Sequence, residues 1–322
     1  MAAAPTRRSI LAEVKQIIPP LSEKMHKGQA GRVGIVGGSR DYTGAPYFAS
    51  MSSMRLGADM SHTICEPSAG NVIKTYSPDL IVHRVLDENK SNADIKKDLE
   101  GIFARLHSLV LGPGLGRDEH MQSCARTALA LAREKDIWTV VDADGLWLVA
   151  NEPEVVIGWD KVVLTPNVVE FGRLCQKMNI DMKKGGGSDA AKELSAALKG
   201  PIILEKGSVD RISNGIEVLI SDEPGGLKRS GGQGDILSGT LCTFLAWAKI
   251  FRDGEAVHAG APKPDTIDEK RLLLLAAYGA SCLTRTCSRE VFKVKKRALL
   301  ADDLLDEVGP AYEKLFGEGS SL

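Results

Sequence analysis

The sequence Ser230-Gly231-Gly232-Gln233-Gly234-Asp235 joins a glycine-rich turn to an acid, directly before an apolar stretch that begins at Ile236. Backbone N–H groups in such a turn, at the start of a helix, can bind the phosphates of a nucleotide. Asp235 could then act as a general base that takes a proton from a substrate hydroxyl beside the terminal phosphate. The alternative is that Asp235 only caps the helix, a role that contributes about 1 kcal/mol.

Asn167 and Glu170 form a second polar pair, in a stretch that begins Thr165-Pro166 after a predicted strand. Their i, i+3 spacing places both side chains on one face of a helix. Asn and Glu can hold Mg²⁺ through its water ligands, because this ion keeps much of its hydration shell. We therefore predict a water-mediated metal site here, and a helix cap with an acidic first turn is the alternative.

The sequence Lys206-Gly207-Ser208-Val209-Asp210 is a third candidate, again at the end of a predicted strand. Lys206 could neutralise a phosphate while the backbone of the loop surrounds a nucleotide. A β-turn with a solvated lysine is the alternative. Glycines follow other predicted strands too, in Gly37-Gly38-Ser39 and in Gly112-Pro113-Gly114-Leu115-Gly116. The carboxyl ends of parallel strands share one edge of a sheet, where ligands bind, so these glycines predict a nucleotide-binding edge.

Apolar, β-branched stretches alternate with stretches that have the spacing of amphipathic helices. Such alternation predicts an α/β fold with a mostly parallel sheet and helices on both faces. We predict strands over residues 32–36, 60–65, 80–85, 108–111, 138–141, 161–164 and 201–204. Helices are predicted between several of them, over residues 45–56, 119–134, 169–178 and 189–198.

The pattern changes after residue 204. Short strands near residues 210–212 and 218–220 predict an antiparallel edge, and three helices are expected over 236–251, 271–287 and 301–316. The stretches 185–187 and 252–269 are predicted to be loops. Residues 1–20 are interpreted as an N-terminal extension or a first helix, and residues 21–322 as a single domain.

The composition excludes several classes of protein. The 322 residues include 41 basic and 42 acidic side chains, a formal net charge of −1, so we expect no nucleic-acid partner. No apolar stretch approaches the roughly 18 residues of a membrane span, so we expect no membrane partner. Six cysteines without a C-x-x-C pair are expected to be buried free thiols in a reducing compartment.

Missing motifs exclude other catalytic classes. No Gly-Lys dipeptide occurs, which removes the P-loop class, and there is no H-E-x-x-H zinc motif or G-x-S-x-G nucleophile turn. The spacing of Gly112, Gly114 and Gly116 matches G-x-G-x-x-G poorly. A Rossmann dehydrogenase is therefore only a runner-up.

Six stretches, in order along the chain, resemble the NAD(P)H-hydrate dehydratases of the ribokinase-like superfamily. They are KGQAGRVGIVGGSRDYTGAP (27–46), LVLGPGLGRD (109–118), VVDADGLWLV (140–149), LTPNVVEFGRL (164–174), LEKGSVDRISNG (204–215) and RSGGQGDILSGTL (229–241). The resemblance covers most of the chain from about residue 20 to residue 315. It implies a ribokinase-like three-layer sandwich, with a central, mostly parallel sheet between two layers of helices.

The resemblance also implies a reaction. Members of this family act on the S-epimer of NADHX or NADPHX, in which water has added to the nicotinamide ring at C6. ATP would phosphorylate the ring hydroxyl and phosphate would then leave, which regenerates NADH or NADPH together with ADP and phosphate. ATP is the expected co-substrate and Mg²⁺ the expected cofactor. The Thr165-Pro166-Asn167 sequence resembles the eukaryotic branch, which uses ATP, whereas many bacterial relatives use ADP.

Residue by residue, the resemblance makes Asp235 the catalytic base and assigns two sets of binding residues. Those for the hydrate are Gly114, Gly116, Asn167, Val168, Val169, Glu170, Phe171, Gly172, Arg173 and Asp235. Those for ATP are Lys206, Gly207, Ser208, Val209, Asp210, Gly225, Gly226, Leu227, Lys228, Arg229, Ser230, Gly231, Gly232, Gln233 and Gly234.

The expected pathway partner is an NAD(P)HX epimerase, which would be a separate protein because this chain has no room for a second domain. We expect a cytoplasmic location. Arg7 and Arg8 leave a mitochondrial presequence open, although Glu13 and the Pro19-Pro20 pair do not favour one. A homo-oligomer is also left open.

Two other functions stay open at this point. A small-molecule kinase of the same fold, acting on a vitamin alcohol such as pyridoxal or a thiamine precursor, would stop at the phosphorylated product. A nucleotide-binding sensor would have lost catalysis, against which the intact Asp235 and the Asn167 and Glu170 pair argue. The stretches 112–118 and 167–173 favour a large dinucleotide substrate over a small alcohol.

Overall fold

A nine-stranded β-sheet forms the centre of the protein, which we describe from a computed structural model that covers residues 6–182 and 189–317. The strands are β1 (Arg32–Val36), β2 (Met60–Ile64), β3 (Ile81–His83), β4 (Ser108–Leu111), β5 (Trp138–Val141), β6 (Val162–Leu164), β7 (Ile202–Glu205), β8 (Asp210–Ser213) and β9 (Val218–Ser221). They lie in the order β3-β2-β1-β4-β5-β6-β7-β8-β9. Strands β8 and β9 are antiparallel to their neighbours and the others are parallel, so the predicted antiparallel edge is confirmed.

Helices cover both faces of this sheet, which gives the predicted three-layer α/β sandwich. They are α1 (Arg7–Ile17), α2 (Gly44–Leu56), α3 (Pro67–Ile73), α4 (Asn92–Phe103), α5 (Glu119–Glu134), α6 (Ala143–Asn151), α7 (Val168–Lys177), α8 (Ala190–Leu198), α9 (Gln233–Asp253), α10 (Glu269–Lys295) and α11 (Ala301–Phe316). One hydrophobic core lies under α1, α2, α9, α10 and α11, and a second lies under α4 to α8.

The alternation of side chains along each strand divides the sheet between the two cores. Val33 and Ile35 in β1 and Val110 in β4 belong to the core under α9 and α10. Leu109 and Leu111 in β4 belong to the core under α4 to α8. Because both faces are buried, the parallel strands are nearly continuous apolar stretches, which is why the sequence located them.

The predicted strands agree with the structure to within two residues at each end. Two late helices differ more, since α9 begins at Gln233 instead of residue 236 and α10 continues to Lys295 instead of residue 287. The predicted loop at residues 252–269 contains two short 3₁₀ turns, Val257–Ala259 and Pro264–Thr266. The loop predicted at residues 185–187 lies outside the described residues.

The N-terminal stretch contains a helix, α1, which packs on α10. Thr6 caps this helix, because its Oγ1 accepts a hydrogen bond from the N–H of Ser9 at 3.2 Å. All six cysteines are buried free thiols, as predicted. Within the described ranges, the search for a helix of membrane-spanning length and apolarity finds none.

The order of the strands reverses between β1 and β4, which are neighbours at the centre of the sheet. In open α/β sheets, ligands bind in the crevice at the carboxyl ends of two such strands. Here the loops after β1 and β4 touch. A Cβ added to Gly37 would lie 2.1 Å from the carbonyl oxygen of Pro113, so only glycine permits this contact.

Helices α2 and α9 cross at a contact that is too close for a side chain. A Cβ on Gly239, within α9, would lie 2.1 Å from the carbonyl oxygen of Ala49 and 2.2 Å from Ser52 Oγ. Ser53 Oγ is within hydrogen-bond distance of the carbonyl oxygens of Ala49 (2.8 Å) and Gly239 (2.9 Å). The crossing therefore fixes the position of the glycine-rich turn from which α9 begins.

We predict that Gly239→Ala destabilises the protein by about 1–3 kcal/mol, because the new methyl group overpacks this crossing. The matched control is Gly101→Ala in α4, where an added Cβ meets no atom within 4 Å. That variant should be more stable than the wild type by about 0.5–1 kcal/mol, since alanine favours a helix interior. Urea unfolding of both variants checks this, and equal stability of the two would contradict the close crossing.

Candidate active site

The turn before α9 leaves the first backbone N–H groups of this helix without a side-chain cap. Gly232 is the N-cap residue, with φ of 90°, and a Cβ there would lie 2.4 Å from that of Ala301. Gln233 Nε2 donates to the carbonyl oxygen of Lys228 (3.1 Å) and to Ser230 Oγ (3.0 Å), which fixes the turn. Uncapped amides at the positive end of a helix dipole suit a phosphate group.

Asp235 is the third residue of α9 and not its N-cap, so the helix-cap interpretation of this residue is wrong. Burial and the negative charge of Asp142 raise the pKa of Asp235 to about 8, and the positive charge of Lys206 offsets this only in part. A carboxyl group with a pKa near neutrality can both accept and release a proton at the working pH. That property is what a general base requires.

Three neighbouring strands supply charged groups near Asp235. Asp142 follows β5, Glu170 lies in the segment after β6, and Lys206 follows β7. Lys206 Nζ donates to Asp142 Oδ1 at 2.9 Å, and both side chains are mostly buried. Burial lowers the pKa of Lys206, but the charges of Asp142, Glu170 and Asp235 outweigh it, so the pKa is raised and the ammonium group stays charged.

Asp142 is a site residue to which the sequence analysis gave no individual role. It precedes α6 without capping it through its side chain. The next residue, Ala143, has φ of 47°, a conformation that is strained for a residue with a side chain. A Cβ on Gly112 would lie 1.9 Å from the carbonyl oxygen of Asp142. This tightly constrained backbone directs the Asp142 carboxylate to Lys206, and its sequence signal was an acid directly after a strand.

Asn167 and Glu170 form a capping box at the start of α7. Asn167 Oδ1 accepts from the N–H groups of Val169 (2.9 Å) and Glu170 (3.0 Å), and Glu170 Oε2 accepts from that of Asn167 (2.8 Å). The helix-cap alternative is therefore present. Burial raises the pKa of Glu170, against the hydrogen bond from Asn167 and the charge of Lys206. In the described parts of the chain, no three His, Cys, Asp or Glu side chains group to hold a metal, so the water-mediated site stays a prediction.

The loop after β7 is held in place by Asp210, the first residue of β8. Asp210 is 4% exposed, and its Oδ1 accepts from the N–H of Gly207 at 3.0 Å and from Arg285 Nη1 at 2.9 Å. Ser281 Oγ donates to Asp210 Oδ2 at 2.7 Å, and Arg285 also donates to the carbonyl oxygen of Ser208. Asp210 therefore shapes the predicted ATP loop from within, with Arg285 of α10, a residue that the sequence analysis missed.

A cavity of about 180 Å³ lies between this loop, the start of α9 and one side of α10. Seven of the predicted ATP-binding residues line it, namely Lys206, Gly207, Asp210, Gly225, Arg229, Gln233 and Gly234. Helix α10 contributes Ser281, Thr284, Arg285 and Ser288, and α9 contributes Leu237. The other predicted ATP residues do not line the cavity, namely Ser208, Val209, Gly226, Leu227, Lys228, Ser230, Gly231 and Gly232.

The stretch that leads to the glycine-rich turn is anchored through a buried acid. Glu223 is 2% exposed and forms ion pairs with Arg7 of α1 and Arg289 of α10. Arg289 Nη1 also donates to the carbonyl oxygen of Pro224 at 3.0 Å, and Ser288 Oγ accepts from the N–H of Gly226 at 3.3 Å. The first helix therefore contacts, through Arg7, the stretch that leads to the predicted ATP loop.

The predicted hydrate-binding glycines lie at the crevice between β1 and β4. Gly114 and Gly116 have φ of 60° and 84°. The carbonyl oxygen of Gly114 accepts from the N–H of Gly38 at 3.1 Å and from Ser39 Oγ at 2.9 Å. The N–H of Gly116 donates to Asp144 Oδ2 at 3.0 Å. These contacts order the loop after β4 beside the loop after β1.

The predicted hydrate-binding residues of α7 do not all face the same way. Val168 and Val169 are 62% and 63% exposed at the start of the helix, next to the charged groups. Phe171 is 1% exposed and packs in the core under α4 to α8, so its side chain does not reach the site surface. Gly172 lies near Met182 Sδ, and Arg173 is exposed.

The family model for NAD(P)H-hydrate dehydratase matches residues 33–309 of this chain. The chain belongs to the NAD(P)H-hydrate dehydratase family. A relative from Mycosarcoma maydis, named ATP-dependent (S)-NAD(P)H-hydrate dehydratase, is 59% identical over 98% of this chain and 91% of its own length. Relatives with the same name from Schizosaccharomyces pombe and Bos taurus are 49% and 45% identical, over 97% and 96% of this chain and 94% and 89% of their own.

Two solved structures have the same fold as this member of the NAD(P)H-hydrate dehydratase family. A ribokinase-like superfamily protein from Enterococcus faecalis has a TM-score of 0.74 at 20% identity, over 98% of this chain and 100% of that one. The ADP/ATP-dependent NAD(P)H-hydrate dehydratase from Bacillus subtilis, co-crystallised with ATP and Mg²⁺, has a TM-score of 0.66 at 21% identity, over 95% and 97%. The predicted ribokinase-like fold is confirmed.

We predict that Asp235→Asn raises the melting temperature, by a margin that grows between pH 5 and pH 8. The folded-state pKa of Asp235, about 8, lies above the ordinary value of 3.8, so the wild type loses stability as pH rises between these values. Asparagine cannot ionise and escapes this loss. Asp306→Asn, at a side chain that is 83% exposed, is the control and should track the wild type. A constant difference between Asp235→Asn and wild type over this range would contradict the raised pKa.

Proposed function

We propose that this protein is an ATP-dependent carbon–oxygen lyase that dehydrates (6S)-NADHX and (6S)-NADPHX to NADH and NADPH, with release of ADP and phosphate. The observation that carries the proposal is the position of Asp235. Its carboxyl group lies at the uncapped start of α9, beside Lys206 and next to the cavity formed by the predicted ATP loops. The names of the relatives from fungi and cattle support the substrate and the donor.

In the proposed reaction, the phosphates of ATP lie against the N–H groups of residues 232–234, and Lys206 neutralises their charge. Asp235 accepts the proton of the C6 hydroxyl group while the hydroxyl oxygen bonds to the γ-phosphorus of ATP, and ADP leaves. The phosphate ester then breaks at carbon. The ring nitrogen supplies the electron pair, a proton leaves C5, and the ring double bond returns. Phosphate is a much better leaving group than hydroxide, which is why ATP makes the dehydration accessible.

The carboxylates of this site fit a Mg²⁺ ion that keeps most of its water ligands. Glu170 and Asp142 are hard oxygen donors, and their charges act on each other and on Lys206. Mg²⁺ would neutralise phosphate charge when bound. We propose that Glu170 holds it through water. Asn167 is a less direct candidate, because its side-chain oxygen caps α7.

Several finer assignments belong to the same proposal. We propose ATP rather than ADP as the donor, residues 21–322 as one domain, and the hydrate-binding and ATP-binding residues given by the resemblance. The epimerase that interconverts the hydrate epimers would be a separate protein. We propose a cytoplasmic location.

The experiment mixes the purified protein with acid-hydrated NADH, Mg²⁺ and ATP, and follows the absorbance of the reduced nicotinamide. We expect an ATP-dependent rise that stops with the R-epimer left over. Failure of both ATP and ADP to produce a rise would contradict the dehydratase. Accumulation of a stable phosphorylated product from a vitamin alcohol would favour the small-molecule kinase instead.

We predict that Asp235→Ala and Asp235→Asn lower kcat by about 10²–10⁴-fold, the usual contribution of a general base. Binding of ATP, measured by calorimetry, should persist, because the N–H groups of the turn and Lys206 remain. Substantial turnover in either variant would remove Asp235 as the base. Loss of ATP binding as well would point to a folding defect and not to catalysis.

A further inference from the structure

The loop after β4 separates two cavities with opposite charge. One, of about 430 Å³, is lined by four carboxylates against two arginines and one histidine, namely Asp41, Glu66, Glu88, Asp118, Arg40, Arg117 and His120, with further neutral groups. The other, of about 630 Å³, lies between α6 and α7 and is lined by Arg117, Trp147, Ala150, Asn151, Arg173, Gln176 and Lys177. Among the described residues, the lining of this second cavity, the α6–α7 groove, has three cations and no carboxylate.

Arg173 of α7 links the groove to the carboxylates of the proposed site. Arg173 follows Glu170 by three residues on α7, and its positive charge lowers the pKa of the Glu170 carboxyl group, against the effect of burial. Arg117 follows Gly116 directly in the loop after β4. Lys177 lies one helical turn beyond Arg173, about 6 Å farther along α7. A ligand beside Glu170 would therefore meet Arg173 and then Lys177 along the same helix.

Contacts with neighbouring residues hold two of the three cations of the groove in place. Arg117 Nε donates to Asp144 Oδ1 at 2.8 Å, and its guanidinium carbon lies 5.9 Å from the centre of the Trp147 ring. Lys177 Nζ donates to the carbonyl oxygen of Asn151 at 2.8 Å, which holds it at the edge of the groove. Over residues 6–182 and 189–317, Arg173 has no hydrogen bond and no ion pair, so its guanidinium group is available.

We propose that the α6–α7 groove is the subsite for the adenosine half of the dinucleotide hydrate, which rests on the proposed function. The adenine ring lies against Trp147, since a partly exposed tryptophan offers a stacking face to a base. The phosphates lie among Arg117, Arg173 and Lys177, since guanidinium and ammonium groups bind phosphate. The carboxylates of the other cavity would repel this polyanion. We therefore assign the adenosine half to the α6–α7 groove and not to that cavity.

The test compares two substrates, (6S)-NADHX and the hydrate of reduced nicotinamide mononucleotide, which lacks the adenosine half. Trp147→Ala should raise KM for NADHX by roughly 5- to 150-fold, the range expected for one lost stacking contact, with kcat unchanged. KM for the mononucleotide hydrate should not change. Equal effects on both substrates, or no effect on either, would overturn the proposal.

One conservative variant, one variant that removes a charge and one control complete the test. Trp147→Phe should retain most of the affinity for NADHX, which separates lost stacking from lost folding. Lys177→Gln should raise KM more for (6S)-NADPHX than for (6S)-NADHX, because the former carries one more phosphate. Arg133→Gln is the matched control, since Arg133 is an exposed cation of α5 that likewise donates to backbone carbonyls. If Arg133→Gln and Lys177→Gln have the same effect, the groove is not the subsite.

A binding measurement separates failure of this proposal from failure of the proposed function. With the nucleotide cavity filled by a non-hydrolysable ATP analogue, ADP-ribose should bind the wild type and bind Trp147→Ala at least fivefold more weakly. If no hydrate is turned over but this difference is present, the proposed reaction fails and the subsite stands. If the hydrates are turned over and ADP-ribose binds both proteins equally, the subsite fails and the reaction stands.

Discussion

The ion pair between Lys206 and Asp142 is the interaction on which the rest of the site depends. It joins the ends of β7 and β5 across the end of β6, and so it draws three neighbouring strand ends together. Without Lys206, the desolvated carboxyl groups of Asp142, Glu170 and Asp235 would face one another with no positive charge among them. With it, one cation serves all three, and its charge offsets part of the rise that burial and Asp142 cause, so the pKa of Asp235 is about 8.

Close backbone contacts place these charges. Glycine is required at Gly112, where the loop after β4 touches the carbonyl group of Asp142, and at Gly239, where α9 crosses α2. The first contact sets the position of the Asp142 carboxylate and the second sets the start of α9, from which Asp235 projects. Arg285 and the buried Asp210 then shape the loop after β7, so that Lys206 is supported from α10. Precise charge placement therefore depends on packing in both helical layers.

The sequence was enough to predict the strands, the antiparallel edge and the glycine-rich strand ends, because the apolar patterns of strands and the residue preferences of turns are local signals. It placed the start of α9 three residues late, since Gly232 starts the helix in a left-handed conformation and lies so close to Ala301 of α11 that a side chain would not fit. The roles of Asp142 and Arg285 were not predictable either. Arg285 lies 75 residues from its partner Asp210, and only the packing of α10 on β8 brings the two together.

The most direct test of this account is a ¹³C NMR titration of the Asp235 carboxyl carbon, in the wild type and in Asp142→Asn. The account predicts a midpoint near pH 8 in the wild type and a lower midpoint in the variant, where the neighbouring negative charge is gone and Lys206 remains. A wild-type midpoint near the ordinary aspartate value of about 3.9, or a midpoint that does not move in Asp142→Asn, would contradict it.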